Sequence, residues 1–583
     1  MNVLFPKEDP HQQLGLHGKE ICLWRPGAET LYLEVLGKIV EAERVDVSGL
    51  FRYVLDREIQ AVDYRIYHQS GLLTYDPYAF ALTIGETDLF LFNKGCHYLL
   101  YQLLGANFGT YFGVEGVRFA VWAPNATAVS LIADFNHFDG RVNFMRSVGQ
   151  SGIWEIFVPG LLEGEKYKFE IRTKEGYIRV KSDPVAFYAE MRPRTASVVA
   201  DINRYVWKDQ EWMEKRTHLS CSRPILIYEL HLASWRQYEG YFPHYRELAR
   251  DIAQYCQEMH FTHVELLPIM EHPLDESWGY QVTGFFSVTS RYGTVEDFQF
   301  FVDYLHRCGI GVILDWVPAH FPTDDFSLNR FDGTALYEHD DPRKGIHPHW
   351  HTAIFNYGRV EVSNFLIASA LFWLDQMHVD GLRVDAVASM LYLDYGRKEG
   401  EWIPNPDGSN YNIEAIEFLK HLNTVVEERF PGVLMIAEES SSYHGVTHPV
   451  HKGGLGFHLK WNMGWMNDTL RYFSQDPIYR KFHQNDLTFS LLYAFSEQFT
   501  SALSHDEVVH SKRSLLSKMP GDDWQKFANL RLLYSYMICH PGKKLLFMGG
   551  ELAQRDEWYF QGQIHWHLLE YPLHVGMHRM VRE

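Results

Sequence analysis

Hydrophobic positions follow two different patterns along this chain, and the change comes near residue 224. From there onward, short apolar runs alternate with longer stretches in which apolar residues recur every three or four positions. The short runs are typical of strands buried on both faces of a parallel sheet, and the longer stretches are typical of amphipathic helices. The runs predicted as strands are 225–232, 263–269, 311–317, 381–387, 432–438, 459–463, 501–505 and 544–548. The stretches predicted as helices include 245–259, 294–308, 361–378, 412–429 and 523–539.

Eight strand–helix units in series predict a (β/α)8 TIM barrel over residues 224–583. A barrel of this kind typically needs about 250 residues, so this stretch leaves room for long loops. The active site of such a barrel lies at the carboxyl ends of its strands.

The first 200 residues contain a diverged internal repeat. In residues 21–35 and again in 119–133, a strand pattern ends at Trp-x-Pro and an alternating strand follows. Each copy later reaches Asp-Pro-x-Ala-Phe, at residues 76–80 and 183–187. Short alternating strands separated by Gly, Pro and Asn turns predict two β-sandwich modules, over residues 1–104 and 105–210. Residues 207–223 are polar and irregular, and we interpret them as a linker to the barrel.

Acidic residues stand at the ends of four predicted barrel strands. They are Asp315 on the third, Asp385 on the fourth, Glu438 on the fifth and Asp506 after the seventh. One acidic strand end is common, but four that converge on one barrel mouth are not explained by structure alone. Like charges packed together raise the pKa of one of them, which suits a general acid. The pattern therefore predicts an active site built on carboxylates.

Arg383 and Asp385 are two residues apart, so on an extended strand both side chains leave the same face. A fixed cation beside a carboxylate keeps that carboxylate ionised at neutral pH. An ionised carboxylate is the nucleophile that a glycosidase needs at an anomeric carbon. Taken alone, this stretch fits a structural Arg–Asp pair equally well.

Composition excludes several classes of partner. The formal charge of −20 argues against nucleic acid, which needs a basic surface. No apolar run of 18 residues and no secretion signal is visible, so we expect no membrane span and a cytoplasmic location. The six cysteines form no CxxC pair and are expected to be buried free thiols. Aromatic residues make up 15% of the chain, which suits stacking on sugars but also suits large cores.

Four segments of the barrel region resemble the signature regions of the α-amylase superfamily, glycoside hydrolase family 13. They are DWVPAH at 315–320, GLRVD at 381–385, AEE at 437–439 and LSHD at 503–506. Their flanks, together with ELHLASW at 229–235 and WGYQ at 278–281, resemble the 1,4-α-glucan branching enzymes of that superfamily. The amino-terminal part is similar to the tandem β-sandwich modules of the long bacterial members, the second being a family 48 carbohydrate-binding module. The resemblance covers nearly the whole chain.

The resemblance implies a role for each site residue. Asp385 is expected to be the nucleophile, Glu438 the general acid/base and Asp506 the stabiliser of the transition state. The residues expected to bind or organise substrate are Tyr280, Asp315, His320, Arg383 and His505. Capping or core packing is the alternative role for the two histidines, and packing is the alternative for Tyr280.

The activity that the resemblance implies is the formation of α-1,6 branches in glycogen. The enzyme is expected to cleave an α-1,4-glucan such as glycogen or amylose and to move the freed oligosaccharide to a 6-hydroxyl by a retaining double displacement. No cofactor is expected, and no metal, because Ala319 stands where many α-amylases have a calcium-binding asparagine. We expect a monomer. Two alternatives stay open: an α-1,6-glucan debranching hydrolase, and an inactive glucan-binding fragment.

The end of the chain departs from the family pattern. Residue 583 falls where a final barrel helix is expected, so we predict that this helix is incomplete. The C-terminal β-sandwich of the family is expected to be missing. We therefore expect a multidomain fold of two β-sandwich modules and a barrel, truncated at the C-terminus.

Overall fold

The computed structural model describes residues 10–68, 71–218, 222–238 and 242–583. A first β unit, a second β unit and a barrel follow one another along the chain. The strands of the first unit are β1 (Gly15–His17), β2 (Glu20–Trp24), β3 (Leu31–Val35), β4 (Lys38–Arg44), β5 (Leu50–Val54), β6 (Tyr64–Tyr67) and β7 (Leu73–Thr74).

The first unit is one strand path folded around its own core. Its order is β1-β2-β5-β4-β3-β6-β7. The strand β4 pairs with β3 along most of its length and with β5 only at its end, so it links two halves of the unit. Buried Ile21, Phe51, Leu33 and Ile66 come from both halves and belong to one apolar cluster. The two halves therefore form the layers of a sandwich.

Two helices, α1 (Glu86–Asn93) and α2 (Leu100–Leu103), lead into the second β unit. Its sheets have the orders β10-β13-β16-β15, with β14 beside β13, and β11-β12-β9-β8. Its strands are β8 (Gly105–Tyr111), β9 (Val114–Trp122), β10 (Ala128–Ala133), β11 (Arg146–Ser147), β12 (Ile153–Pro159), β13 (Lys166–Arg172), β14 (Ile178–Lys181), β15 (Tyr188–Ala189) and β16 (Ser197–Val198). This unit is a two-sheet sandwich, as predicted.

The same tyrosine–aspartate bond recurs in both β units. Tyr64 donates to Asp76 at 2.6 Å in the first, and Tyr167 donates to Asp183 at 2.7 Å in the second. Each aspartate also accepts a backbone N–H from the residue two positions on. The repeated Asp-Pro motif therefore closes each unit in the same way.

The stretch interpreted as a linker contains a helix, α3 (Gln210–Arg216). Trp212 and Arg216 of this helix are buried. The interpretation of residues 207–218 as irregular is therefore wrong, and residues 219–221 lie outside the described part of the chain.

The barrel is closed by eight parallel strands in the order β17-β18-β21-β24-β25-β26-β27-β28. All eight strands predicted from the sequence are present, several of them shorter than predicted. The strands of this unit are β17 (Leu226–Leu230), β18 (His263–Leu266), β19 (Met270–Glu271), β20 (Gly284–Val288), β21 (Gly311–Trp316), β22 (His320–Phe321), β23 (Ala353–Ile354), β24 (Gly381–Val384), β25 (Leu434–Ala437), β26 (Leu459–Trp461), β27 (Phe499–Leu503) and β28 (Lys543–Phe547).

The five predicted helices of the barrel are confirmed, with ends within about three residues of prediction. The barrel helices are α4 (Leu232–Trp235), α5 (Tyr245–Met259), α6 (Val295–Arg307), α7 (Pro342–Gly345), α8 (Val360–Asp375), α9 (Val387–Leu391), α10 (Ile413–Arg429), α11 (Met463–Ser474), α12 (Gln484–Tyr493), α13 (Leu515–Lys518), α14 (Asp523–Cys539) and α15 (Pro572–Arg582). The final helix, α15, packs against α5 and α14. That this helix is incomplete stays a prediction.

Helix α8 is apolar on nearly every face because it lies between the barrel and the second β unit. Its Phe372 stacks on Phe187 of the second unit with ring centroids 5.5 Å apart. Tyr101 of α2 donates to Asp375 at the end of α8 at 2.8 Å. One apolar cluster consequently runs from the second β unit into the barrel.

The structure bears on two expectations from composition, one about membrane spans and one about the cysteines. Among the residues that the structure describes, no helix combines the length and the hydropathy needed to cross a membrane. The five described cysteines are free thiols, but only Cys256 is buried and Cys539 is exposed. The expectation that all are buried is therefore wrong, and Cys221 lies outside the described residues.

Candidate active site

The predicted acidic residues lie at the carboxyl end of the barrel. Asp315 is the fifth residue of β21, Asp385 and Glu438 directly follow β24 and β25, and Asp506 lies in a short 3-10 turn after β27. Parallel strands present their carboxyl ends at one mouth, so these carboxylates share one pocket.

Arg383 of β24 is the group that joins three of them. Its Nη1 donates to Oδ1 of Asp315 and to Oδ1 of Asp385, both at 2.7 Å. Its Nη2 lies 3.1 Å from Oε2 of Glu438. The guanidinium is almost fully buried and sits over the ring of Trp461, with Cζ 4.4 Å from the ring centroid. Ion pairing and the aromatic face together fix the positions of the three carboxylates.

The backbone after Asp385 bends sharply. Ala386 takes the left-handed conformation, with φ of 53°, which a residue with a Cβ adopts only at a cost. In this conformation the N–H of Ala386 donates to Oε2 of Glu438 at 2.7 Å. The bend therefore ties the end of β24 to the carboxyl group at the end of β25.

Burial changes the proton affinity of Asp385 and Glu438 more than Arg383 does. Loss of hydration raises the pKa of Asp385 to about 6, against the lowering effect of Arg383, and Asp315 adds to the rise. The pKa of Glu438 is raised to about 7 by burial and by the charges of Asp385 and Asp506, again against Arg383. Asp385 therefore loses its proton more readily than Glu438 beside it. The sequence predicts that Arg383 controls the charge state of Asp385, but burial has the larger effect on its pKa.

His505 carries a positive charge at neutral pH. Burial alone lowers the pKa of His505, but Asp506 and Glu229 outweigh burial and raise it to about 10. Its Nδ1 lies 2.6 Å from Oε1 of Glu229, and its Nε2 lies 3.4 Å from Oδ1 of Asp506. Burial likewise opposes the charged form of Asp506, yet His505 holds the pKa of that carboxyl below its usual range. Asp506 is thus an ionised carboxylate at the mouth.

Tyr280 reaches the site from a strained turn. The preceding Gly279 has φ of 98°, and a Cβ there would lie 2.2 Å from the carbonyl oxygen of Pro268, so only glycine fits. The hydroxyl of Tyr280 donates to Oδ2 of Asp315 at 2.5 Å, and its ring stacks on His505 at 5.5 Å. Tyr280 therefore lies at the pocket, bonded to the carboxylate that holds Arg383.

His320 is the one predicted site residue that neither a hydrogen bond nor an ion pair joins to the others in the described part of the chain, and its buried Nδ1 has no hydrogen-bond partner there. It is buried on β22, where its ring lies 4.8 Å from that of Trp350. Burial lowers its pKa to about 4, so it is neutral at pH 7. A neutral imidazole suits a hydrogen bond to a sugar hydroxyl, and that role stays a prediction.

Two site residues were missed from the sequence. Glu229 orients His505, accepting both its backbone N–H and its ring. A signal for it was present, because Glu229 is a lone charge inside the apolar run 225–232. Trp461 was counted only as part of a strand, and its contact with Arg383 depends on packing across the barrel, which no local pattern exposes.

The second β unit and the barrel each match a known protein family. Residues 103–186 match the family model of carbohydrate-binding module 48 (isoamylase N-terminal domain). Residues 251–343 and 347–570 match the alpha amylase catalytic domain. A 1,4-alpha-glucan branching enzyme GlgB of Protochlamydia amoebophila is 63% identical over 98% of this chain and 80% of its own length. The chain belongs to the 1,4-alpha-glucan branching enzyme family. The family predicted from the sequence is thereby confirmed.

Other members of the branching enzyme family are nearly as similar. The enzyme of Chlamydia abortus is 55% identical over 99% of this chain and 80% of its own length. That of Chlamydia trachomatis serovar A is 55% identical over 97% of this chain and 77% of its own length. A crystal structure of a Salmonella typhimurium candidate alpha amylase has a TM-score of 0.63 at 20% identity, covering 82% of this chain and 85% of its own. That likeness concerns the fold alone.

Proposed function

We propose that this protein is an active 1,4-alpha-glucan branching enzyme. It cleaves an α-1,4 bond of glycogen or amylose and transfers the oligosaccharide to a 6-hydroxyl, forming an α-1,6 branch. The observation that carries the proposal is the single buried guanidinium of Arg383, which bonds Asp385 and lies 3.1 Å from Glu438. Two carboxyl groups of unequal proton affinity, held side by side, are the machinery of a retaining transfer. The relatives named above support the choice of reaction.

In the first step, Glu438 gives its proton to the glycosidic oxygen while Asp385 attacks the anomeric carbon. The bond from C1 to the leaving chain breaks, and a bond from C1 to the Asp385 oxygen forms, giving a covalent glycosyl-enzyme. Asp506, ionised by its pairing with His505, stabilises the positive charge that develops on the sugar.

In the second step, the 6-hydroxyl of a glucan attacks C1 and loses its proton to Glu438. The ester to Asp385 breaks, and both carboxyl groups return to their first protonation states. Tyr280, His320 and His505 bind the hydroxyls or the face of the transferred sugar, and Asp315 holds Arg383 in place. If water enters instead of a hydroxyl, the same steps give hydrolysis.

The debranching hydrolase and the inactive fragment are not favoured. The three carboxylates proposed as catalytic lie at the carboxyl ends of barrel strands, and the relatives named above are branching enzymes. We further propose a cytoplasmic monomer without cofactor, metal, nucleic acid or membrane partner. The domains are proposed as 1–104, 105–210 and 224–583.

The test is incubation of the protein with linear amylose. Proton NMR counts new α-1,6 linkages, and a reducing-sugar assay counts new chain ends. Branches without lasting reducing ends are expected, because transfer consumes the anomeric carbon that hydrolysis releases. Reducing ends without branches would make the protein a hydrolase.

Asp385→Ala is the matched variant for this assay. Removing the nucleophile is expected to lower turnover by at least about 10⁴-fold. Retention on an amylose column should stay within about two-fold of the unchanged protein. The carboxylate of Asp385 attacks the anomeric carbon and contributes little to binding of the glucan chain. Substantial turnover by the variant would refute the assignment of Asp385.

A further inference from the structure

The residue after Glu438 is a second glutamate, and its side chain is fully buried. Glu439 accepts from Nζ of Lys460 at 2.6 Å, and its other carboxylate oxygen accepts the backbone N–H of Ser441 at 2.8 Å. Glu439 is 0% exposed and Lys460 is 7% exposed. This buried ion pair connects the segment after β25 to the neighbouring strand β26.

Stability alone does not account for such a pair. Taking two charges out of water costs about as much free energy as their attraction returns, and an apolar pair of similar volume is often at least as stable. The position of the pair, directly after the residue proposed as the general acid/base, indicates a role in the reaction.

The backbone at Glu438 is held from two sides. Its carbonyl oxygen accepts the N–H of Val387 at 3.0 Å, and its Oε2 accepts the N–H of Ala386 at 2.7 Å. Both of these bonds come from the segment after β24. The bond of Lys460 to Glu439 holds the next residue to β26. The peptide between the two glutamates is therefore fixed between the two strands that flank β25.

The residue that follows Lys460 supports the proposed nucleophile. Trp461 faces the barrel interior, where its ring centroid lies 4.4 Å from Cζ of Arg383. Arg383 in turn bonds Asp385 at 2.7 Å. Successive side chains of a strand leave opposite faces, so Lys460 points away from this contact and toward the buried pair. Residues 460–461 thus support both carboxyl groups of the retaining reaction, one through each side chain.

We propose that Lys460 is a positioning residue for the carboxyl group of Glu438, acting through Glu439. The inference rests on the catalytic roles proposed above. In the first step the proton of Glu438 moves to the glycosidic oxygen as C1 leaves that oxygen and bonds to Asp385. Proton transfer requires hydrogen-bond distance, and a displacement of about 1 Å can lower the rate about 100-fold. The ion pair keeps the acid at that distance in both steps.

The test is a double variant that removes both charges of the pair, Lys460→Met with Glu439→Gln. An amide at position 439 still accepts from Ser441, and no buried charge is left unpaired, so the fold is expected to persist. Far-UV circular dichroism checks that it does. Turnover of amylose at saturating substrate is expected to fall by about 10-fold to 100-fold, with KM within about two-fold of the unsubstituted protein.

A donor that needs no acid separates positioning from general damage. When α-maltoheptaosyl fluoride reacts, the C1–F bond breaks as Asp385 bonds to C1, and fluoride leaves without taking a proton. The initial burst of fluoride from the double variant should therefore stay within about three-fold of that from the unsubstituted protein. Loss of amylose turnover with a retained burst supports the proposal. Equal losses on the two substrates, or no loss on amylose, would overturn it.

Lys544→Met is the matched control. Lys544 is also 7% exposed, and its Nζ bonds the carbonyl oxygens of His540 and Gly542 at the start of β28, at the amino end of the barrel. The ratio of its amylose turnover to its fluoride burst should equal that of the unsubstituted protein. A ratio as low as that of the double variant would overturn the proposal, because loss of any buried lysine would then produce the effect.

Failure of the proposed function has a different signature. Amylose cleavage without branches by the unsubstituted protein would overturn the branching activity. The comparison of amylose turnover with the fluoride burst would still decide the role of Lys460, because hydrolysis and transfer share the first step.

Discussion

A single arginine decides the geometry of the site, but it does not decide the charge state of the carboxyl groups around it. Arg383 bonds Asp315 and Asp385 and lies within ion-pair distance of Glu438. The pKa values of Asp385 and Glu438 nevertheless rise, because both groups are removed from water and face other carboxylates. The two values lie close together, and the lower one belongs to the proposed nucleophile.

A narrow bell-shaped pH profile follows from these shifts. Asp385 must be ionised to attack, so activity is expected to fall as the pH drops below about 6. Glu438 must carry a proton to protonate the leaving oxygen, so activity is expected to fall as the pH rises above about 7. The measurement is kcat/KM for amylose branching from about pH 4 to about pH 9, which reports the free enzyme.

Asp315→Asn provides the control for the acid limb. The charge of Asp315 raises the pKa of Asp385, and its removal also leaves Arg383 with one fewer partner. The acid limb should therefore move to lower pH while the alkaline limb stays. Activity that is flat across this range, or an acid limb that does not move, would contradict the assignment.

For these site residues, the sequence predicted the positions of the side chains better than it predicted their pKa values. The predicted strand ends identified Asp315, Asp385, Glu438 and Asp506 correctly, because the parallel strands of a barrel have their carboxyl ends at one mouth. The rise in the pKa of Asp385 depends on how completely the barrel excludes water. Burial of that kind arises from packing between distant segments, which a local Arg–Asp spacing does not reveal.

Helix α3 shows how a polar sequence can be a buried element. Trp212 donates to Asp380 at 2.8 Å and stacks on His306, with centroids 5.1 Å apart. His306 in turn bonds Asp209 and Asp380, both at 2.8 Å. Residues 207–218 looked like a linker because a network of ion pairs, and not an apolar face, fixes the helix beneath the barrel. Periodicity of apolar residues does not detect this kind of contact.

Charge holds this network together at neutral pH. Burial alone raises the pKa of Asp380, but His306 and Arg216 overcome burial and keep the carboxyl well below its usual range. A carboxyl whose folded pKa is depressed stabilises the fold above its unfolded pKa and loses that contribution as the pH falls through the folded value. The anchoring of α3 is therefore sensitive to acid.

Trp212→Ala tests whether α3 is an anchor of the barrel. The substitution removes a buried ring and leaves Asp380 without one of its donors, so the free energy of unfolding is expected to fall by about 3–5 kcal/mol. Urea denaturation followed by far-UV circular dichroism measures the loss. Glu214→Ala, at an exposed position of the same helix, should change stability by less than about 0.5 kcal/mol. Equal effects of the two substitutions would show that α3 is a linker and does not anchor the barrel.

The apolar clusters of the described residues do not follow the division into three units. Phe51 lies in a cluster confined to the first β unit. Phe372 belongs to the cluster that joins the second β unit to the barrel. Two sandwich modules of common sequence pattern thus differ in how they attach. The second shares a large core with the barrel, whereas the first has a core of its own and meets the second through the small cluster of Leu14, Trp24, Tyr78 and Phe144.

The shared core predicts that the second β unit and the barrel lose stability together. Phe372 is fully buried and packs on Phe187 and Tyr101, so Phe372→Ala is expected to destabilise both parts by about 3–5 kcal/mol. Hydrogen exchange read by mass spectrometry should speed up in strands of the barrel and of the second unit alike. Phe51→Ala, an equally large truncation in the separate core, should speed exchange mainly within the first unit, because the cluster that contains Phe51 is built only from residues of that unit. Faster exchange confined to the barrel in Phe372→Ala would show that the sandwich and the barrel unfold independently. Joint loss would mean that the second module is part of the catalytic body, and that glucan binding and transfer take place on one cooperative unit.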